Sequence, residues 1–107
     1  MGAQLDRDVQ EDGLTIFARF HAREGREAEI EAAIVEVVPP TRAEADCLGI
    51  AGFRDTRDPR LFFIHSRWTS EAAFERHAGL PHTVRFLETV RGLVDHELDV
   101  RRATGFA

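Results

Sequence analysis

The chain has 107 residues, the length of one domain, and a core of that size leaves about a third of the unfolded surface uncovered, so self-association is a direct way to bury more. Its net charge is −5 with no basic block, which excludes the clustered positive charge that nucleic acid or an anionic membrane surface requires. Lys, Tyr and Asn are absent and all fourteen basic residues are Arg, which excludes Schiff-base and phenolic side-chain chemistry and points to a GC-rich bacterial genome.

Residues 1–12 are polar, acidic and aperiodic, and are expected to form a flexible N-terminal arm. Leu14 to His21 alternates as a strand, with Ile16, Ala18 and Phe20 on one face and Phe17, Arg19 and His21 on the other. After Gly25 the period becomes helical, and Ile30, Ala33, Ile34, Val37 and Val38 form one apolar stripe. Pro39-Pro40 is expected to kink or end that helix, because neither residue can donate to the carbonyl four positions back. Thr41-Arg42-Ala43-Glu44 then reads as a capping box opening a short helical piece that runs to about Asp46.

Leu48 to Thr56 is expected as a strand, Asp58-Pro59 as a turn, and Leu61 to Trp68 as its hairpin partner. Ser70 is expected to cap a helix ending near Gly79. Pro81 suits the first turn of another helix, which turns Val84, Leu87 and Val90 inward. Residues 94–101 alternate as a last strand, with Asp95, Glu97 and Asp99 on a solvated face, and 103–107 is read as a tail. The order is βαββαβ, a ferredoxin-like α+β domain over 13–102 with a four-stranded antiparallel sheet and helices on one face. The other face would carry Phe17, Phe63 and His65, which two copies packed sheet to sheet would cover. A homodimer is therefore expected.

Cys47 is the single cysteine, so no intrachain disulfide and no cysteine zinc cluster is expected, which fits a cytoplasmic protein; burial as an inert thiol is the expectation for it. No apolar run nears the ~18 residues of a membrane span, and no signal peptide is read at the N-terminus.

Val37-Val38-Pro39-Pro40-Thr41-Arg42-Ala43-Glu44, Cys47-Leu48-Gly49, Trp68-Thr69-Ser70-Glu71-Ala72-Ala73-Phe74, His77 and Pro81-His82, in that order, resemble the antibiotic biosynthesis monooxygenase family, which includes small quinol monooxygenases. The resemblance covers about Leu14 to Arg101. It implies a dimeric α+β barrel, with the C-terminal strand reaching the partner, and a cavity between sheet and helices. It also implies oxidation of hydroquinones by O₂ without metal or flavin. Haem-degrading relatives use an Asn, a Trp and a His; the matching positions look like Ala18, His77 and Phe86, so haem degradation is not implied. Members often carry Tyr and Glu before the strand-3 Trp, where this chain has His65 and Ser66.

The candidate catalytic residues are His82 and His77. His82 follows Pro81 at a helix N-terminus, where the dipole disfavours the imidazolium and keeps a general base neutral. His77 ends the preceding helix. They stand five apart across a helix break with no third ligand apparent, so no metal site and no cofactor is expected. Trp68 has the parity of the helix-facing residues and reads either as a core residue at the strand-to-helix corner or as a wall that stacks on a planar substrate. Phe20, Phe74 and Phe86 are the other candidate substrate-binding walls. The expected function is cofactor-independent oxygenation of a small hydroquinone or polyhydroxyaromatic compound by O₂, with His82 or His77 as base. The alternatives are a non-catalytic dimer that binds a small hydrophobic metabolite, a structural stress-type barrel, and a proton-transfer isomerase.

Overall fold

The computed structural model of the protein describes residues 13–107; the expected arm at 1–12 lies outside them. The elements are β1 (Leu14–His21), α1 (Glu27–Arg42), β2 (Cys47–Arg54), β3 (Leu61–Trp68), α2 (Glu71–Ala78), α3 (Pro81–Arg91) and β4 (Asp99–Ala103). All sheet pairings are antiparallel, in the order β2-β3-β1-β4. This is the ferredoxin-like α+β order, with the two edges given to β2 and β4.

Alternation along β1 and β3 builds the core. Leu14, Ile16, Ala18 and Phe20 are buried beneath the helices, as are Phe62, Ile64, Ser66 and Trp68 across the ladder. The opposite face carries Phe17, 52% exposed, and Phe53, 54% exposed, with Phe63 paired to Phe53 and His65 paired to Phe17. The Phe17 and His65 rings lie 5.2 Å apart. His21 is hydrogen-bonded within the chain to Asp95 at 2.8 Å and Asp58 at 3.1 Å.

α1 does not break at Pro39-Pro40: it runs unbroken from Glu27 to Arg42. The prolines deprive the Val35 and Glu36 carbonyls of their helical donors, but both residues are exposed and can bond water instead. Val37 and Thr41 are buried on the opposite side, and packing there outweighs the local cost. Thr41 opens no capping box. It lies inside the helix, and its hydroxyl donates to the Val37 carbonyl at 2.8 Å. Glu44 is thereby released for another role. The helix settles onto β2 because Gly52 has no side chain; a Cβ there would come 2.5 Å from Ile34 Cγ2.

Two further expectations change. The inward stripe of α3 is Thr83, Phe86 and Val90 with Leu87 beside it, whereas Val84 is exposed. The last strand starts at Asp99 rather than at Val94 and reaches Ala103. The reason lies at the end of β1, where the His21 amide donates to the His96 ring at 2.8 Å instead of to a strand carbonyl. Val94 makes only an isolated bridge to Ala22 and packs into the core with Leu98.

Gly52→Ala should destabilise the fold by about 1–3 kcal/mol, since the added methyl overpacks against Ile34. Urea denaturation against the parent protein measures this.

Candidate functional site

The site forms where β3 hands the chain to α2. Ser70 accepts a hydrogen bond from the Ala73 amide at 3.1 Å and starts α2 on the helix-facing side of the sheet. One turn apart on the inner face of that helix, Ala73 and His77 are both buried. Trp68, 1% exposed, packs with Leu14, Ile16 and Ala73. The His77 ring lies over the indole with centroids 4.5 Å apart, and Phe74 flanks both rings. The indole N–H donates to Ser66 Oγ at 3.0 Å.

Pro81 at the first position of α3 places His82 in its first turn. Between the two imidazoles sits Glu44, from the loop that follows α1. Its Oε2 lies 2.7 Å from His77 Nδ1 and 2.7 Å from His82 Nε2. An ionised carboxylate only accepts, so each facing ring nitrogen carries a proton. Neutral His77 is then the Nδ1–H tautomer, with its lone pair on Nε2. The Thr83 hydroxyl stands 3.2 Å from Nδ1 and 3.5 Å from Nε2. Burial pushes the His77 pKa below the ordinary 6.5, and the hydrogen bond and charge of Glu44 offset only part of that effect.

An apolar cavity of about 230 Å³ opens between the sheet and the helices. Phe20, Phe74 and Phe86 line it, as do His77, Thr83 and Ser66. Leu98 and Val100 contribute from the C-terminal segment, and Arg102 ties β4 to α2 through Glu71 at 2.6 Å and Glu75 at 2.9 Å. Trp68 does not reach the cavity; it stands behind Ser66 and His77 as a core residue. His82 does not reach it either. It borders a separate, more polar groove between α1 and α3 that also includes Arg26, Glu36 and Arg85. Of the two candidate bases, only His77 faces the apolar space.

Glu44 corrects the expectation that the two histidines lack a third group. One ligand-type atom from each of Glu44, His77 and His82 falls within 4.8 Å of the others, the one such grouping among the described residues. A small cation could engage all three. The 2.7 Å separations, however, are those of shared protons. Ligands of a tetrahedral zinc with bonds near 2.0 Å stand about 3.3 Å apart. The geometry matches a hydrogen-bonded triad. Cys47, at the start of β2, is partly buried, and burial pushes its thiol pKa up, against a nucleophilic role.

Sequence reasoning missed Glu44 because Thr41-x-x-Glu44 has the spacing of a capping box. The available signal was electrostatic: a carboxylate just beyond a helix C-terminus opposes the macrodipole and needs another partner.

The sequence profile of the antibiotic biosynthesis monooxygenase family matches residues 13–89. PA3566 from Pseudomonas aeruginosa is 30% identical over 91% of this chain and 97% of its own, with a TM-score of 0.84. Rv0793 from Mycobacterium tuberculosis is 23% identical over 89% of this chain and 96% of its own, also at 0.84. A variant of SnoaB from Streptomyces nogalater, a cofactor-independent oxygenase, is 19% identical over 88% and 93%, at 0.77. These last two share the fold. No functionally curated protein matches the sequence.

The lowered His77 pKa has a consequence for stability. Just below pH 6.5 the unfolded chain takes up a proton at this imidazole that the folded chain refuses, so stability falls as the pH drops through that range. Urea midpoints measured from pH 7.5 down to 5.5 should decline, and His77→Gln should flatten the decline. At pH 7.5, Glu44→Ala should destabilise by about 1–3 kcal/mol, because it strips the acceptor from two part-buried N–H groups.

Proposed function

We propose, for a chain that belongs to the antibiotic biosynthesis monooxygenase family, that it is a cofactor-independent oxygenase of a small dihydroxyaromatic compound, with His77 as the base. The observation that carries this reading is the apolar cavity with one titratable wall residue, an imidazole whose outer nitrogen is oriented by a carboxylate. Glu44 holds the Nδ1 proton and so aims the Nε2 lone pair away from itself. Burial keeps that lone pair free at neutral pH.

The chemistry needs little else from the protein. His77 takes a phenolic proton, and the resulting phenolate is electron-rich enough to pass one electron to O₂. The radical pair recombines to form a C–O bond to the ring, and the peroxide O–O bond then breaks. The proton held by His77 returns to the departing oxygen. One oxygen atom stays on the ring of a hydroxyquinone and the other leaves as water. The quinol supplies all four electrons, so no external reductant enters. Apolar walls favour the step by limiting the access of water to the phenolate and to the reactive intermediates.

Two copies of the chain are proposed to assemble through the open face of the sheet. Exposed Phe17 and Phe53, beside Phe63 and His65, support this, since a contiguous aromatic face is costly in water. Phe63→Glu should give a monomer or an aggregate in light scattering, because a charge packed at that face would go unpaired. A parent protein that scatters as one chain at micromolar concentration would refute the assembly.

Oxygen uptake by metal-free protein with a panel of hydroquinones and catechols tests the activity. His77→Ala should lower kcat by about 10²–10⁴-fold, and His82→Ala should cost far less. The base must be neutral to act. Activity is therefore full above the lowered His77 pKa and is lost as the pH falls through it, which sets the acid limb below 6.5. Tight binding of a quinol without uptake would instead make the protein a binder.

A further inference from the structure

Ser66 is the polar group in the cavity whose role is unassigned. It has helix-facing parity on β3 and is 3% exposed. Its ladder partners are Ile16 on β1 and Ile50 on β2, and both of those residues line the same cavity. The Trp68 indole N–H donates to its oxygen at 3.0 Å. An indole can only donate, so the Ser66 hydroxyl must point its own proton elsewhere. Among the described residues that proton has no acceptor. The hydroxyl is thus a donor polarised by a second hydrogen bond, set among isoleucines at the edge of an empty space.

Trp68 also fixes where this donor lies relative to the base. The same indole carries Ser66 at its nitrogen and His77 against its face, 4.5 Å between ring centroids. Donor and base therefore flank the same indole and both line the cavity, whose remaining lining is almost wholly apolar. A hydrogen-bond donor beside a base suits a group that loses a proton and keeps the charge on oxygen.

We propose that Ser66, braced by Trp68, is the binding residue for the phenolate oxygen created at His77, and that the cavity selects single-ring phenols. This rests on the reading of the cavity as the substrate site. His77 removes the proton, and the Ser66 hydroxyl donates to the oxygen left negative. The donor is desolvated and already oriented, the condition under which one hydrogen bond to a developing oxyanion matters most. Size supports the ring count. Cavities of about 150 Å³ hold benzene, and pockets for larger ligands start near 300 Å³. At about 230 Å³ this one fits a substituted single ring and not a fused tricycle.

The test uses 4-nitrophenol, whose absorption reports its own ionisation, bound to the full-length protein. The bound probe should ionise at a pH below that of the free phenol. Ser66→Ala should raise the bound pKa by about one unit, a tenfold loss of preference for phenolate, and Ser66→Thr should restore it. Trp68→Phe keeps an aromatic ring against His77 but removes the indole donor; it should move the pKa part of the way. This variant also serves if Ser66→Ala fails to fold. In oxygen uptake, Ser66→Ala should lower kcat about 10²-fold with KM little changed. An anthracene-type tricyclic phenol should not displace the probe.

A bound pKa unchanged in both Ser66→Ala and Trp68→Phe would overturn the proposal, as would a probe that does not bind at all or that gains ionisation only through His82. An intact probe shift that depends on Ser66, in a protein without oxygen uptake, would overturn the oxygenase reading and leave Ser66 as a phenolate-binding residue.

Discussion

One carboxylate oxygen joins three separate parts of the chain. Glu44 Oε2 accepts from His77 at the end of α2 and from His82 at the start of α3, while Glu44 itself stands in the loop that closes α1. These segments share no strand ladder, and the short α2 is otherwise held to the sheet by Ala73, Phe74, the ring of His77 and the exposed Arg102 pairs with Glu71 and Glu75. The carboxylate is screened by its surroundings, with a side chain only 14% exposed, so each hydrogen bond counts for more than it would on an open surface. Asp46, two residues on, repeats the connection outside through Arg76 at 2.7 Å, but that exposed pair adds little.

The same carboxylate divides two histidines that look alike in the sequence. Each gives one N–H to Glu44, and each then has one nitrogen left. The two remaining nitrogens stand in different surroundings. His77 lies against Trp68 and Phe74 and borders an apolar space; His82 borders a groove with Arg26, Glu36 and Arg85 nearby. Burial lowers the His77 pKa and so favours its neutral form, and the apolar walls beside it suit an apolar ligand. The helix dipole argument favours His82 on local grounds, whereas burial and the apolar surroundings favour His77, the base in the proposed reading.

Much of the fold was legible because it follows from alternation. β1 and β3 place small and large apolar residues at every second position, and the register follows from that pattern. The residues that alternation turned the other way, Phe17 and Phe63, do lie on the uncovered face. Phe20, Phe74 and Phe86 could likewise be placed on the helix side by parity and helical period. What could not be read is where packing overrides a local rule. Pro39-Pro40 is a strong stop signal, but Val37 and Thr41 are buried on the far side of the helix and carry it through. That single override moved Thr41 into the helix and hid Glu44. The late start of β4 has a similar origin, since an imidazole 75 residues away takes the His21 amide. A long-range side-chain bond of that kind leaves no periodic trace.

The absence of Tyr and Lys gains meaning once the cavity is known. With those residues missing, His77 is the one ionisable side chain among the residues that line the cavity, and Ser66 and Thr83 are its neutral neighbours. Without Tyr, electron transfer through a protein phenol is closed to this chain. The cavity thus offers one imidazole, a few hydroxyls and apolar walls. In the proposed reading the substrate carries the reactivity. In that reading the apolar walls select which molecules enter, and Ser66 and His77, both braced by the Trp68 indole behind them, orient what is bound.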